Sequence, residues 1–373
     1  MKREVTLTCI LLSLCWIVSS ASAFTSLYVF GDGASTTTDN TTGGGLYYGD
    51  RNSNGRVWVE VLAQRQGLTF NSNRNWSYFG DTSSNLISTA SVPYTNAVQF
   101  KTPADVATAL IIIWVSDADF VLLLESSPPY APSAVWTNTI NQCTTNQYKA
   151  ITNLYGKGVR TMVIPSMVDL GKIPEFDGLP SASLSFIRQQ FVNFNNSFSN
   201  MLNLVAVQYP ALTIYRPDFF SLLDNILASP SSYGVTNALT QLGDGRKVSV
   251  DALDDPNNTD YSLTGRGTNY IYWDSRDPTA KVHTQMANLV QQLISPPMIT
   301  NVTTLANGSN RLDLASVPVG RNGTVLVSSN LTSWTSLQGF TSSNVTQSVF
   351  VPTSGNAAHQ YYRLTFPFSW TWP

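Results

Sequence analysis

Hydrophobic and polar positions follow two regimes along this chain. Up to about residue 295, short apolar runs alternate with longer stretches of helical period. "SLYVFGD" (26–32) is an apolar run that stops at Gly31, Asp32 and Gly33, and it predicts a strand. "GRVWVEVLAQRQG" predicts a helix closed by Gly67. "ALIIIWVS" (109–116) is continuous and β-branched, the pattern of a strand buried on both faces. "NTINQCTTNQYKAITNLYGKG" predicts a helix up to Gly156, and "VRTMVIPS" a further buried strand. Ile187, Phe191, Phe194, Phe198, Met201, Leu202 and Val205 step mostly by three and four, which predicts one long amphipathic helix. "LTIYRPD" reads as a strand and "FFSLLDNILA" as a short helix. Val282, Met286, Leu289, Val290 and Leu293 mark a last helix.

Strand–helix alternation of this kind predicts a parallel sheet covered by helices on both faces, a three-layer α/β/α sandwich. In such sheets the working residues collect at the carboxyl ends of the strands, so the tip of "LYVFGDG" is a candidate. "SPPM" (295–298) ends this regime. Beyond it come short alternating runs, "NRLDLASVPV", "GTVLVSS", "SVFVPT" and "QYYRLTF", separated by Gly, Asn and Pro. They predict a small all-β, sandwich-like module over 297–373, after a first domain over 24–296.

The N-terminus changes the picture of where the protein works. Lys2 and Arg3 precede an apolar stretch from Val5 to Val18 and then "SSASA", ending at Ala23. This is the pattern of a secretory signal cleaved after Ala23, and it predicts a secreted, periplasmic or cell-surface protein. The apolar run is shorter than the ~18 residues of a spanning helix, and no later run is long enough. Cleavage would remove Cys9 and Cys15 and leave Cys143 alone, with no internal disulfide. Only 12% of residues are charged and the net charge is -2, which argues against nucleic acid and against a basic membrane patch. Of the sequons at Asn40, Asn75, Asn195, Asn257, Asn301, Asn307, Asn322, Asn330 and Asn344, several could carry glycans in a eukaryotic route, whereas in a bacterial protein they would mean nothing.

Four stretches in order carry candidate chemistry: "VFGDGAS", "GRVWVEVLAQRQGL", "IIIWVSDADF" and "YWDSRDPTAKVHTQMA". Together they resemble the GDSL, or SGNH, esterases and lipases, over roughly Phe24 to Ser295. The resemblance implies a flavodoxin-like α/β/α fold and ester hydrolysis without a cofactor. It also implies a site at named positions. The family's first block is F-G-D-S with a nucleophilic Ser; here Phe30, Gly31 and Asp32 match and Gly33 stands at the Ser. Gly80, in "NWSYFGDTS", matches the glycine whose amide serves the oxyanion hole. In "SDAD", Ala118 stands where an Asn side chain would complete that hole. In "DSRDPT", Asp274, Pro278 and Thr279 match, but Asp277 replaces the His.

Each replacement removes a reacting group. The mechanism needs a hydroxyl to attack and an imidazole to take its proton. Glycine has no hydroxyl, and an Asp of ordinary pKa, about 3.9, is a weak base. Loss of Ser or His in a serine hydrolase lowers kcat by about 10⁶. One missing oxyanion donor adds a further 10²–10³, roughly. Ser35 and His283 are the substitutes within the blocks; a turn hydroxyl and a packing or hydrogen-bonding role are their plain readings. Asp32, Asp119, Asp274 and Asp277 could converge and share a proton or hold a hard cation, although no cofactor or metal is expected. "DALDDPNNTD" reads as a solvated loop, and "TTGGGLYYGD" as a flexible turn rimming the site. Tyr47, Tyr48, Trp58, Trp76 and Trp114 are candidates for sugar stacking or for packing. The C-terminal module resembles β-sandwich modules of secreted bacterial proteins. Three readings follow. The first is a degenerate, inactive or weak hydrolase keeping a pocket for an acyl-ester or glycan ligand. The second is an active ester hydrolase with rewired residues, Ser35 with His283 or an Asp-activated water. The third is a surface carbohydrate-binding or adhesion protein.

Overall fold

The computed structural model describes residues 24–366, apart from 42–43, 91–93, 127–130, 237–238, 243–244, 318–320 and 354–358. The expected signal peptide lies outside the described residues. Four strands, β1 (Leu27–Gly31), β2 (Leu110–Trp114), β3 (Thr161–Val163) and β4 (Thr213–Tyr215), form a parallel sheet in that order. β1 and β2 are buried at every position, as their unbroken apolar runs require. The register sets Phe30 beside Ile113 and Gly31 beside Trp114. "VRTMVIPS" contributes only three residues of strand.

The helices are α1 (Trp58–Arg65), α2 (Asp117–Glu125), α3 (Ser133–Gly156), α4 (Pro174–Asp177), α5 (Ser181–Gln208), α6 (Phe219–Ala228) and α7 (Ala280–Ile294). α1 packs along α7, and α3 along α5. The chain leaves β1 through α1 and reaches Asn75, which makes a parallel bridge to Val29 on the outer edge of β1. It then returns to β2 on the other side. The winding direction therefore reverses at β1, and Gly31, Asp32 and Gly33 sit at the carboxyl end of that switch strand, where such sheets bind ligands.

A two-stranded ribbon, β5 (Leu239–Gln241) with β6 (Lys247–Ser249), lies beyond α6. The stretch 251–260 is a loop with Asp254, Pro256, Asn257, Thr259 and Asp260 exposed, and it is anchored inward at a few positions. Asp251 and Asn258 are buried, Asn258 holds the Ala252 carbonyl, and Asp255 accepts from the Tyr270 hydroxyl. Behind them Ala252, Tyr270 and Trp273 form a small core of their own.

The C-terminal strands are β7 (Met298–Thr304), β8 (Ser309–Ala315), β9 (Asn322–Ser328), β10 (Thr335–Thr341), β11 (Gln347–Pro352) and β12 (Tyr361–Thr365). They form two antiparallel sheets, β10-β9-β12 and β11-β8-β7. Leu312, Leu314, Val325, Val349 and Val351 fill the space between them, which is what alternating strands predict. Buried Arg321 joins the module to the first domain. It donates to the Ser232 carbonyl at 3.2 Å and lies 4.1 Å over the Tyr233 ring. The sequons at Asn75 and Asn195 are buried and bonded within the fold, so those two amides serve structure. Among the described residues no helix is long and apolar enough to cross a membrane.

Candidate functional site

The site begins where β1 stops. A Cβ on Gly31 would lie 2.5 Å from Ser77 Oγ and 2.8 Å from Ser35 Cβ, so that position must be glycine. Gly33 is different. Its φ is outside the left-handed region, and a Cβ there would meet Phe79 Cδ2 at 3.1 Å, Asn52 Nδ2 at 3.4 Å and Asp277 Oδ1 at 3.8 Å. The backbone at Gly33 is thus compatible with a side chain. That side chain would point at Asp277, under the half-exposed ring of Phe79.

Asp277 is 6% exposed, and no hydrogen bond reaches its carboxyl among the described residues. Asp274 is the opposite case. Its carboxylate accepts from the Tyr47 hydroxyl (2.9 Å) and from the backbone amides of Arg276 (3.0 Å) and Asp277 (2.8 Å). Asp274 therefore shapes the turn that presents Asp277. The same turn is tied down from "RNSNG": Ser53 donates to the Pro278 carbonyl, and Asn54 accepts from the Ala280 amide.

Gly80 has φ +79° and lines the cavity with Gly33 and Ala118. Neither the Gly33 nor the Gly80 amide has a protein acceptor among the described residues. The Ala118 amide does: it donates to Asp117 Oδ1 at 2.7 Å. Two backbone donors are thus unclaimed at the cavity head, and Ala118 adds only a methyl group.

The two sequence-level substitutes do not meet there. Ser35 is fully buried, and its Oγ accepts from Trp58 Nε1 at 3.0 Å. His283 is fully buried on α7 with neither ring nitrogen hydrogen-bonded, and burial pushes its pKa down to about 3. Neither side chain is on the cavity wall. His359 is exposed in the C-terminal module.

Of the four carboxylates the sequence offers, Asp32 and Asp277 are buried and Asp274 is partly buried. Asp119 turns away to the amide and hydroxyl of Ser83, at 2.7 and 3.1 Å. Asp117, on the cavity wall, is the acidic neighbour that acts most on buried Asp32, whose Oδ1 has no hydrogen-bond partner among the described residues. Burial, then the neighbouring Asp117, Asp277 and Asp81, holds Asp32 well above the usual carboxylate range. Burial, then Asp274 and Asp117, does the same to Asp277, with Arg276 opposing. Buried Asp81 is pushed up to about 8, chiefly by desolvation. Among the described residues no group of three or more His, Cys, Asp or Glu is placed to hold a metal ion.

Below this head lies a cavity of about 510 Å³. Its walls are apolar, with Trp114 from β2, Leu170, Phe219 and Leu223 from α6, and Val282 and Met286 from α7. At the mouth Arg276 pairs with Glu125 (2.7 Å) and Glu175, and its guanidinium lies 5.6 Å over the Phe79 ring. Phe79, Asp117, Arg276 and the Tyr47–Asp274 bond were not singled out by sequence reasoning. Each sits within or beside a block that was, but no local pattern gives its partner. Of the aromatic candidates, Trp58 and Trp114 are core and Trp76 stacks on Tyr28.

No curated protein sequence matches the chain. Among solved structures it is similar to the acetyl xylan esterase AlAXEase, at 10% identity and a TM-score of 0.29, covering 55% of this chain and 84% of that one. It is also similar to BT4096, a gut microbial diltiazem-metabolizing enzyme, at 9% identity and a TM-score of 0.36, covering 83% of this chain and 60% of that one. At such low TM-scores neither likeness bears on the chemistry. Residues 27–290 match the GDSL-like lipase/acylhydrolase family. With the first-strand turn, the "DSRDPT" turn and the cavity between them in place, the chain belongs to the GDSL-like lipase/acylhydrolase family.

Proposed function

We propose that this chain is a secreted, catalytically degenerate member of its family that holds an acyl-ester or acylated-glycan ligand without turning it over by the serine mechanism. One observation carries the reading. At Gly33, where the resemblance expects the nucleophile, there is no side chain, and a Cβ there would lie 3.1 Å from the Phe79 ring and 3.8 Å from Asp277 Oδ1, beside a cavity of about 510 Å³. Pocket and amides support binding; the missing hydroxyl and imidazole remove the ordinary reaction.

The test is hydrolysis of p-nitrophenyl acetate and butyrate by the wild-type chain beside Gly33→Ser with Asp277→His. The wild type is expected to stay near the uncatalysed rate and the double variant to gain turnover. Wild-type turnover at ordinary esterase rates would overturn the reading. Secretion is checked separately by N-terminal sequencing of the exported protein, which should begin at Phe24.

One observation favours a second reading, hydrolysis by a water that Asp277 activates. Its buried carboxyl, held above the usual range, is closer to a working base than an ordinary Asp. Under that reading the wild type hydrolyses slowly and Asp277→Ala abolishes it. The Ser35 and His283 pairing is not favoured, because the Ser35 hydroxyl is held by Trp58 and His283 is off the cavity wall.

A further inference from the structure

We infer that the cleft between the first domain and the C-terminal module is a second binding site, and that it takes an acidic glycan by a carboxylate or sulfate borne on the sugar. The inference does not depend on what the cavity at Gly33 holds or turns over.

The cleft has a volume of about 670 Å³ and lies along the seam where α1 packs on α7. Its opposite wall is the turn between β10 and β11, which brings in Ser343 and Asn344. Arg56, just before α1, and Arg65, at its end, both line the cleft. Exposed Arg56 reaches along the helix and donates to Gln64 Oε1 at 2.8 Å, one residue before Arg65. Arg65 donates to Asn288 Oδ1. Each guanidinium is thus held by a neutral amide oxygen, which positions it without neutralising it. Neither has a carboxylate partner among the described residues, and no acidic residue lines the cleft. The groove beside α5 and β6 also holds cations, but there Lys172 and Arg188 are met by Asp224 and Asp169. Burial, with no anion to offset it, pushes the Arg65 pKa down to about 10, which still leaves the group charged at neutral pH. Two positive forks therefore stand ready for an oxyanion.

The rest of the lining says what carries that oxyanion. Gln64, Thr284, Ser343 and Asn344 present amides and hydroxyls, which pair with sugar hydroxyls. A docked peptide needs a free strand edge or apolar anchor pockets, and the apolar side chains here are only Val61, Ala280 and Val345. Single-stranded nucleic acid needs aromatic rings to stack its bases, and none of the described residues lining the cleft is aromatic.

The experiment uses the full mature chain made in bacteria, so that the sequon at Asn344 carries no glycan. Calorimetry at pH 7 and low ionic strength compares polygalacturonate, dextran sulfate, neutral dextran and polyglutamate. At least one acidic glycan is expected to bind about tenfold or more tightly than dextran, the scale of one charge-assisted hydrogen bond, and the tighter of the two identifies the anion. Arg56→Ala, at an exposed position, and Ser343→Glu, which sets a carboxylate on the module's wall, should each weaken that binding about tenfold with the urea midpoint unchanged. Binding of neither acidic glycan, dextran binding as tightly, or unchanged binding in either variant overturns the inference. Polyglutamate binding as tightly as the glycans overturns the glycan in favour of an acidic peptide.

Discussion

His283→Leu tests whether the buried imidazole of α7 is a passive filler or a working base. His283 is fully buried, neither nitrogen has a partner, and desolvation alone pushes its pKa to about 3. In the unfolded chain a His titrates near 6.5. Its folded value is depressed, so the stability it permits is complete above pH 6.5 and is lost as pH falls towards about 3. The loss is about 1.4 kcal/mol per pH unit over that window, hence about 3 kcal/mol at pH 4.5 and about 5 kcal/mol in all. Leu cannot take the proton, and there is no hydrogen bond to forfeit. The buried aspartates drift the other way. Their raised values stabilise below the ordinary carboxylate pKa and lose that contribution as pH rises through the folded pKa. Both proteins share that drift, so it cancels in the difference between them. The assay is urea unfolding at pH 8 and pH 4.5, followed by tryptophan fluorescence from buried Trp58, Trp136 and Trp273. Wild type should lose about 3 kcal/mol more than His283→Leu between the two pH values. Parallel losses would refute the reasoning and show that His283 has an unrecognised partner that accepts the proton's charge.

Three further outcomes are expected. Adding Ala118→Asn to Gly33→Ser with Asp277→His restores the side-chain oxyanion donor and should raise kcat for p-nitrophenyl butyrate by roughly 10²–10³. No gain would mean that residue 118 does not face the developing oxyanion. Ser35→Ala leaves the Trp58 indole N–H without an acceptor and should lower stability by about 1–3 kcal/mol in urea unfolding. It should leave any wild-type hydrolysis unchanged, whereas abolition would identify Ser35 as a nucleophile. Arg276→Ala releases Glu125, Glu175 and the Phe79 ring from one another at the cavity mouth. Partly exposed pairs of this kind contribute little, so unfolding should shift by less than about 1 kcal/mol. Stopped-flow binding of methyl octanoate should become faster in both directions, and unchanged rates would show that this contact does not gate the mouth.

How much of this was legible in the sequence depends on whether the signal is local. β1 and β2 announce themselves because strands covered on both faces need continuous apolar runs. α5 does so because its buried face repeats every three or four residues over 28 residues. Gly33, Gly80, Ala118 and Asp277, each named from a short ordered block, line one cavity. The edge beyond β1 was not readable, since it is a single bridge at Asn75 with no periodicity to detect. Asp117 was hidden for another reason. In "SDAD" two carboxylates are two residues apart, and only the helical start at Asp117 sets one on the cavity wall and turns the other to Ser83. The loop 251–260 was readable as such, but its polar composition conceals that Asn258 and Asp255 bond inward, around Trp273. Such partners lie far apart in sequence, where patterning gives no register.

The positions around the cavity head differ in what they do for the fold. Asp274 holds a turn by two backbone amides and the Tyr47 hydroxyl. Thr279 bonds the Tyr270 carbonyl, and Ser35 takes the Trp58 N–H. Gly31 is required by the approach of Ser77 and Ser35. These positions match the family's blocks or stand beside them, and removing any would leave a buried group unpaired or a backbone in collision. At Gly33, Ala118 and Asp277, by contrast, no side-chain hydrogen bond supports the fold among the described residues. Those are the three positions where the resemblance read from the sequence expects groups that only chemistry uses. Substitution at such positions is expected to cost the fold less than substitution at Asp274, Thr279, Ser35 or Gly31.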